Sequence, residues 1–370
     1  MRKRGMLLMI SAILGMVLTG CSGGSQPTAA TTAAPAQETA AAPAQETTVA
    51  TAEETAAEPV TLKFASISSQ GDLAYDVTQE IIDEIESKSN GSIKIDYYPD
   101  SQLGDWQEVF DNIMLGTVDI SYGSIADNID PRVACGYLMG LAGDYGTMEK
   151  LFEKGGWLRN EIETIYADKM NVKYLAPAFC GFNGIGMVKE LQNPTDPTKQ
   201  KGAKVRCSTQ TVISLGLSNL GYTTVAMNYG EVFTSLQSGL IDGWLGGTAT
   251  INYNKMRDAI NYYYDLKIQA EMNMWTMSMK AWEKLSPEQQ DIVQTAFQNG
   301  EHRMYELCEQ YEDEYLGKLE EAGIQVFSYS AEELRANNEM SRNKTWPEME
   351  EVYGKEFLDK LKEELAKIEG

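Results

Sequence analysis

The chain has 370 residues, of which 43% are hydrophobic, and its formal net charge is −23. Such an acidic surface repels nucleic acid and anionic lipid, so neither is expected as a partner. One histidine and five cysteines, without CxxC or metal-ligand spacing, argue against zinc chemistry, a histidine-assisted nucleophile and any metal cofactor.

Residues 1–21 have the organisation of an export signal. Three basic residues follow Met1, and the apolar run Met6–Val17 is short for a membrane-spanning helix. The run ends in Leu18-Thr19-Gly20-Cys21, which resembles a bacterial lipobox and implies cleavage before Cys21 and lipid on its sulfur. The alternative is an ordinary signal peptide with a chance cysteine. Lipidation predicts an extracytoplasmic protein, periplasmic or at the cell surface, that is anchored to the membrane by lipid.

Residues 22–59 read as a flexible linker. The segment consists mostly of Ala, Thr, Pro, Gln and Glu, and the sequence of Ala33–Thr39 recurs at Ala41–Thr47. It offers too little apolar surface to offset the entropy of ordering, so we expect a disordered tether.

The remaining stretch of about 310 residues suits two domains better than one. Its apolar periodicity alternates between strand and helix, which predicts an α/β fold with parallel strand pairing. Strands are expected at Val60–Ser66, Ser92–Tyr98, Val118–Tyr122, Val172–Phe179, Lys267–Met279 and Ile324–Ser328. Helices are expected at Leu73–Ser87, Gly104–Leu115, Met148–Met170 (interrupted at Gly155), Pro287–Glu321 with Ser286 as N-cap, and Phe357–Ile368.

Arg206 is the strongest candidate for a ligand-binding residue. It ends a short apolar β run in Lys201–Arg206, and the helical stretch Glu231–Gly239 leads to a further strand at Asp242. A guanidinium is always charged and matches a carboxylate with two parallel donors, so Arg206 predicts an anionic ligand. The alternative is that Arg206 caps a surface strand or pairs with one of the many acids.

Three motifs in register resemble the substrate-binding proteins of tripartite ATP-independent periplasmic (TRAP) transporters, the DctP-like family. They are Gln102–Asp105 with Gly116–Ile120, then Lys201–Arg206, then Leu220–Tyr222 with Glu231–Gly243. The resemblance covers roughly residues 62–298. In the family, the arginine at the position of Arg206 clamps the substrate carboxylate.

The resemblance implies two α/β lobes joined by hinge strands and a long lobe-spanning helix. Lobe I would comprise residues 60–181 and 272–311, lobe II residues 182–271 and 312–350, and a C-terminal helix residues 351–370. A small organic acid would be captured as the cleft closes and handed to the membrane permease of the transporter, without a cofactor.

The chain departs from the family at two places near the site. Many members that take sialic or dicarboxylic acids carry a second arginine where this chain has Asn183, and a Glu-Asn pair where it has Trp244-Leu245-Gly246-Gly247. Together with Trp106 and Trp275, Trp244 predicts a monocarboxylate with an apolar or aromatic body. The alternative is that the tryptophans pack in the core. Polar candidates on loops that would face the cleft are Ser69, Tyr75, Ser124 and Asn228.

Other readings of the sequence remain open at this stage. The cysteines beyond Cys21 are expected to be buried thiols, although a Cys180–Cys207 disulfide is conceivable, and His302 is expected on a solvated helix face. An exported carboxylate-dependent enzyme is disfavoured because no motif positions an acid pair. A ligand-binding receptor that feeds a sensor would use the same binding chemistry.

Overall fold

The computed structural model describes residues 59–369. The export signal, the lipidation at Cys21 and almost all of the linker lie outside the described residues. No helix within residues 59–369 is both long enough and apolar enough to cross a membrane.

The nine strands of the described chain form one mixed sheet in the order β2-β1-β3-β8-β4-β7-β5-β6, and β9 pairs with β8. The strands are β1 Val60–Ser66, β2 Ile93–Tyr98, β3 Ile120–Gly123, β4 Val172–Met187, β5 Lys204–Cys207, β6 Thr223–Ala226, β7 Gly243–Leu245, β8 Tyr262–Ser278 and β9 Gln325–Ser328. The pairs β1–β2, β1–β3, β5–β6 and β5–β7 are parallel, as the strand–helix alternation predicts.

Helices connect and cover these strands. They are α1 Leu73–Lys88, α2 Trp106–Leu115, α3 Tyr145–Leu151, α4 Trp157–Met170, α5 Thr211–Asn219, α6 Val232–Gln237, α7 Ala249–Ile251, α8 Met279–Trp282, α9 Pro287–Glu321, α10 Ala331–Met340, α11 Trp346–Glu348, α12 Glu350–Tyr353 and α13 Lys355–Glu369. Short 3₁₀ and π segments supplement them at Pro131–Tyr137, Tyr229–Glu231, Asn252–Met256 and Ser341–Thr345.

Local sequence explains where the helices that frame the site begin and end. Asp105 caps α2 by accepting from the backbone N–H groups of Gln107 and Glu108, and Gly116 ends it in the left-handed conformation. Ser286 and Gln289 form a capping box at the start of α9, with Pro287 in its first turn. The predicted bounds of α9 are therefore confirmed.

Two long antiparallel strands cross the middle of the sheet. β4 and β8 pair from Val172↔Ser278 to Met187↔Tyr262, and the register shifts at three places along the way. One shift sets two residues of β4, Cys180 and Gly181, opposite the single residue Glu271 of β8. Such a bulge turns side chains away from the regular alternation and is common beside functional sites.

The buried apolar residues form a large cluster and a smaller one. The large cluster runs through both ends of the sheet and includes Trp275 and Phe297, while the smaller one gathers Trp244, Tyr263 and the end of α9 around Leu319. The described chain is thus a two-lobed α/β structure whose lobes share a sheet. The residue boundaries of the lobes given above remain a prediction.

Candidate functional site

Arg206 lies inside the protein rather than on its surface. Its strand β5 sits between β6 and β7, with Arg206 opposite Val225 and Trp244, and the side chain is 4% exposed. The Nε atom donates to the carbonyl oxygen of Met227 at 3.0 Å, and Nη1 donates to that of Leu245 at 3.1 Å. These two carbonyls hold the guanidinium and leave further N–H donors available.

The charge of Arg206 has no anionic partner in contact. No ion pair within 4 Å joins it to a carboxylate anywhere in residues 59–369. Burial lowers the pKa of Arg206 to about 10, and Cys207, Tyr229 and Glu271 offset only part of this effect. A buried cation held only by neutral carbonyls is electrostatically unfavourable, so the site is prepared for an anion.

The backbone beside Arg206 leaves space for the guanidinium. Gly246 has a φ of +138°, and a Cβ atom there would lie 2.8 Å from Nη1 of Arg206 and 3.4 Å from the ring of Trp244. Glycine is therefore needed at this position both for its conformation and for the space it leaves. The departure from the family at Trp244–Gly247 thus lies directly against the arginine.

Glu271 is a charged residue in the centre of the site that sequence reasoning did not select. Its Oε2 accepts from Nδ2 of Asn183 at 2.8 Å, and its Oε1 lies 3.4 Å from Nδ2 of Asn273. Burial raises the pKa of Glu271, whereas the hydrogen bonds from the two amides and the charge of Arg206 oppose the rise. The available signal was an acid between the apolar residues Ala270 and Met272.

Tyr229 lies beside Trp244, which pairs with Arg206. It follows β6 with its ring centroid 6.0 Å from that of Trp244, and it is partly accessible to solvent. Desolvation of the hydroxyl and the charge of Asp72 raise the pKa of Tyr229, and Arg206 opposes the rise. We call Arg206, Glu271, Asn183 and Tyr229 the central site.

A second group of polar residues joins the loop after β1 to the segment after α7. The hydroxyl of Ser69 donates to Asp100 and accepts from Nζ of Lys255 at 3.0 Å. Nδ2 of Asn254 donates to the carbonyl oxygen of Gly71 at 3.1 Å. These contacts link segments about 180 residues apart in sequence. The polar partners of Ser69 therefore do not belong to the central site.

The remaining predicted residues are placed differently from one another. Trp275 is fully buried, with its N–H 3.4 Å from Thr78 Oγ1 and its ring beside Phe297. Trp244 is also fully buried and donates to Asn252 Oδ1 at 2.9 Å. Both occupy core positions, although Trp244 borders Arg206.

Four candidates lie on loops or near helix starts, and none of them makes a hydrogen bond with the Arg206 side chain. Trp106 is the first residue of α2 and is partly exposed. The Ser124 hydroxyl is 2.6 Å from that of Tyr137, and the Tyr75 ring is 5.9 Å from that of Tyr97. Asn228 is exposed directly before the 3₁₀ turn that carries Tyr229. The structure thus places Trp244 beside Arg206 and Asn183 beside Glu271, and Asn228 directly follows Met227, whose carbonyl oxygen accepts from Arg206.

Metal and thiol chemistry find no support in the described chain. Residues 59–369 contain no cluster of three or more His, Cys, Asp or Glu side chains that could hold a metal ion. Cys135, Cys180, Cys207 and Cys308 are free thiols, as expected, and burial raises the pKa of each. His302 is exposed on α9, where its Nε2 lies 3.2 Å from Glu306.

A sequence model of the family described as "Bacterial extracellular solute-binding protein, family 7", or DctP, matches residues 64–351. The chain belongs to the DctP family. The resemblance to the solute-binding proteins of TRAP transporters is therefore confirmed. The DctP family consists of transport proteins rather than enzymes.

Two relatives show how distant the other DctP proteins are. The sialic acid-binding periplasmic protein SiaP of Vibrio cholerae is 26% identical over 72% of this chain and 82% of its own. The uncharacterized protein YiiZ of Salmonella typhimurium is 28% identical over 58% of this chain. The chain spans 64% of the length of YiiZ.

The fold is shared with solved structures as well. A TRAP periplasmic solute-binding protein from Roseobacter denitrificans with bound L-galactonate has a TM-score of 0.71. It is 21% identical, and the alignment covers 82% of this chain and 99% of that one. At this identity, the likeness confirms the two-lobed α/β fold of the DctP chain.

Proposed function

We propose that this DctP protein captures a small organic acid between its two lobes by clamping the acid's carboxylate with Arg206. The observation that carries the proposal is the buried guanidinium, which contacts two backbone carbonyls and, among residues 59–369, no carboxylate. A ligand carboxylate supplies the missing charge. No Asp or Glu carboxylate within the described part of the chain forms an ion pair with it.

The magnitude of the interaction supports a carboxylate as the defining group of the ligand. A hydrogen bond to a charged group contributes about 1.5–3 kcal/mol, and an arginine can make two in parallel to one carboxylate. The overall charge of −23 repels an anion at long range, so the local cation must dominate at short range. Binding of an anionic ligand therefore depends on Arg206 more than on any other charge in the central site.

The body of the ligand follows from the residues around the clamp. Trp244 and Trp275 are fully buried, so the expectation of a monocarboxylate with an apolar or aromatic body has support only from the accessible ring of Tyr229. Asn183 and Glu271 add polar groups to the same centre. We therefore favour a monocarboxylate whose body offers polar groups and a face for an aromatic ring.

The mechanism we propose is capture by closure. A ligand that meets Arg206 on one lobe and groups from the other binds the closed form better, and this difference in affinity shifts the hinge equilibrium. The closed protein then delivers the acid to the membrane permease of a TRAP transporter. Lipid at Cys21 would keep it close to that permease, and no catalytic step is needed.

Arg206→Ala and Arg206→Lys test the clamp. Wild type and variants are titrated with a panel of carboxylates, including sugar acids, sialic acid, orotate, 2-oxoacids and amino acids, by thermal shift and then calorimetry. We expect Arg206→Ala to abolish the ligand-induced rise in Tm. Arg206→Lys keeps the charge but loses the paired geometry, so its affinity should fall roughly 10- to 100-fold.

The matched control is Arg335→Ala, because Arg335 is an exposed arginine on α10 whose only ion pairs are to exposed glutamates. It should bind as wild type does. Circular dichroism checks that Arg206→Ala is folded. If it is not folded, the affinity of Arg206→Lys still tests the role of the arginine. A wild-type ligand response in folded Arg206→Ala would show that the clamp is assigned to the wrong residue.

A further inference from the structure

Glu271 is a partly exposed acid between buried residues of a strand. Within Ile268–Ser278, the C-terminal part of β8, it is the one residue that is only partly buried. It stands at the bulge, opposite Cys180 and Gly181 of β4. Cys180 is likewise the one partly exposed residue within Tyr174–Met187. The bulge therefore leaves a small, partly exposed polar area between buried stretches of β4 and β8.

The carboxylate of Glu271 is held in position but not neutralised. Its contacts are the amides of Asn183 and Asn273, and no ion pair joins it to a cation in the described part of the chain. Asn273 is itself positioned by a hydrogen bond to the Tyr122 hydroxyl at 3.0 Å. Two oxygens with about four acceptor positions receive only these two donors, so acceptor capacity remains.

Arg206 and Glu271 thus form a pair of opposite charges that do not touch. Each is held by neutral groups, carbonyls for the cation and amides for the anion. The sheet brings them towards each other: Asn183, which donates to Glu271, lies on β4 close to Gly186, and Gly186 pairs with Trp244, which in turn pairs with Arg206. A ligand lying between them meets a positive and a negative group at the same time.

We propose that the ligand is a zwitterion, with its carboxylate on Arg206 and a cationic nitrogen on Glu271. This inference rests on the function proposed above and adds the second anchor. The relevant class is amino acids, ω-amino acids and related compounds that carry one carboxylate and one ammonium or quaternary nitrogen.

The balance of charge favours this class over simple acids. A monoanion would leave two negative groups and one positive group in the central site, whereas a zwitterion leaves the site neutral. Burial raises the pKa of Glu271, and a cation in contact with the carboxylate would favour its negative form. The accessible Tyr229 ring, beside Trp244, offers a face on which a cationic nitrogen can rest.

The test compares matched ligands. The twenty common amino acids, their betaines and a series from β-alanine to 5-aminopentanoate are measured beside the same carbon skeletons without the nitrogen. Hydroxy acids and sugar acids form the third arm. Thermal shift and calorimetry are run on wild type, Glu271→Gln, Glu271→Asp and Arg206→Ala.

We expect at least one zwitterion to bind wild type at least tenfold more tightly than its nitrogen-free partner. Glu271→Gln should lose at least tenfold in affinity for that zwitterion and lose most of the discrimination within the pair. Glu271→Asp, which keeps the charge, should retain more of both. The matched control Glu309→Gln changes an exposed glutamate on α9 and should behave as wild type does.

Three results would overturn the inference. They are that no zwitterion in the panel binds, that a sugar acid or nitrogen-free acid binds wild type as tightly as the best zwitterion, or that Glu271→Gln binds that zwitterion unchanged. Failure of the clamp is distinguishable, because in that case Arg206→Ala would keep its ligand response whatever Glu271→Gln does.

Discussion

Three basic residues in one short motif have three different surroundings. Lys201 is 1% exposed and its Nζ donates to the carbonyl oxygens of Asn193 at 2.6 Å and Asp196 at 2.7 Å. Lys204 is exposed, and Arg206 faces the central site. Burial lowers the pKa of Lys201 to about 8. Lys201 thus holds a loop through its ammonium group, whereas Arg206 retains N–H donors beyond those that its two carbonyl partners use.

Glu312 is a buried acid outside the central site that should govern how stability depends on pH. It is 2% exposed, and burial raises its pKa to about 8, with the charge of Asp265 adding to the rise and Lys267 opposing it. The unfolded chain releases this proton near the usual value of 4.5. The folded state therefore binds the extra proton between these values, and stability falls as pH rises through that window.

Glu312→Gln should remove much of this dependence. We expect the variant to have a higher Tm than wild type at pH 8.5 and a similar Tm at pH 4.5, because a neutral amide replaces a carboxylate that is costly to ionise. Asp265, whose pKa is also raised, leaves a residual slope of the same sign. The exposed neighbour Glu309 provides the control substitution Glu309→Gln. Parallel Tm–pH curves for wild type and Glu312→Gln would contradict the assignment.

At the scale of elements, α9 shows why one helix can hold both lobes. It runs for 35 residues, packs on α1 and β4 near its start, and reaches β9 and the smaller core cluster near its end. Gly300 allows the close approach to α1, since a Cβ there would collide with Cδ1 of Ile81 and lie 2.7 Å from its Cγ1. Gly317, later in the same helix, has nothing within 4 Å of such an atom.

The two glycines predict opposite effects for the same substitution. Gly300→Ala should destabilise by about 1–3 kcal/mol, because it overpacks the contact with α1. Gly317→Ala should stabilise by roughly 0.5–1 kcal/mol, because alanine favours the helix and meets no neighbour. Chemical denaturation of both variants measures the difference. Equal effects of the two substitutions would mean that α9 does not pack on α1 at Gly300.

The elements that the sequence predicts well are those with local signals. Caps and turn residues locate α2, α9 and the strand carrying Arg206 to within a few residues. The crossing strands were predicted too short, with β4 ending at Phe179 and β8 beginning at Lys267. Their true extents, Val172–Met187 and Tyr262–Ser278, depend on pairing across bulges between residues far apart in sequence. Lys267 even has a φ of +44°, which no periodicity indicates.

The same limit applies to the candidate site. Arg206 could be selected from the sequence because an arginine at the end of a short apolar strand indicates an anionic ligand. Glu271 could not, because an acid in a strand is usually solvated, and only the bulge and the pairing with β4 bring it to Asn183. For Trp244 and Trp275, burial is decided by distant elements such as α9 and the Asn252 segment.

At the scale of the whole molecule, the charges of Arg206 and Glu271 and the polar contacts between distant segments are both parts of the proposed closure. The loop after β1 touches Lys255 and Asn254, while Arg206 and Glu271 lie on β5 and β8. If the two lobes close around a ligand, the contacts of Lys255 and Asn254 would lie at the rim of the cleft, and Arg206 and Glu271 would lie at its centre. The acidic body then supplies solubility and long-range repulsion, and selection rests on the central site.

The most direct measurement is a crystal structure of the wild-type protein with the tightest-binding compound from the panel. The account predicts a ligand carboxylate about 2.7–2.9 Å from Nη atoms of Arg206, in the two-donor geometry of an arginine–carboxylate pair. A ligand whose carboxylate is bound elsewhere, with the Arg206 guanidinium still held only by the carbonyls of Met227 and Leu245, would contradict it.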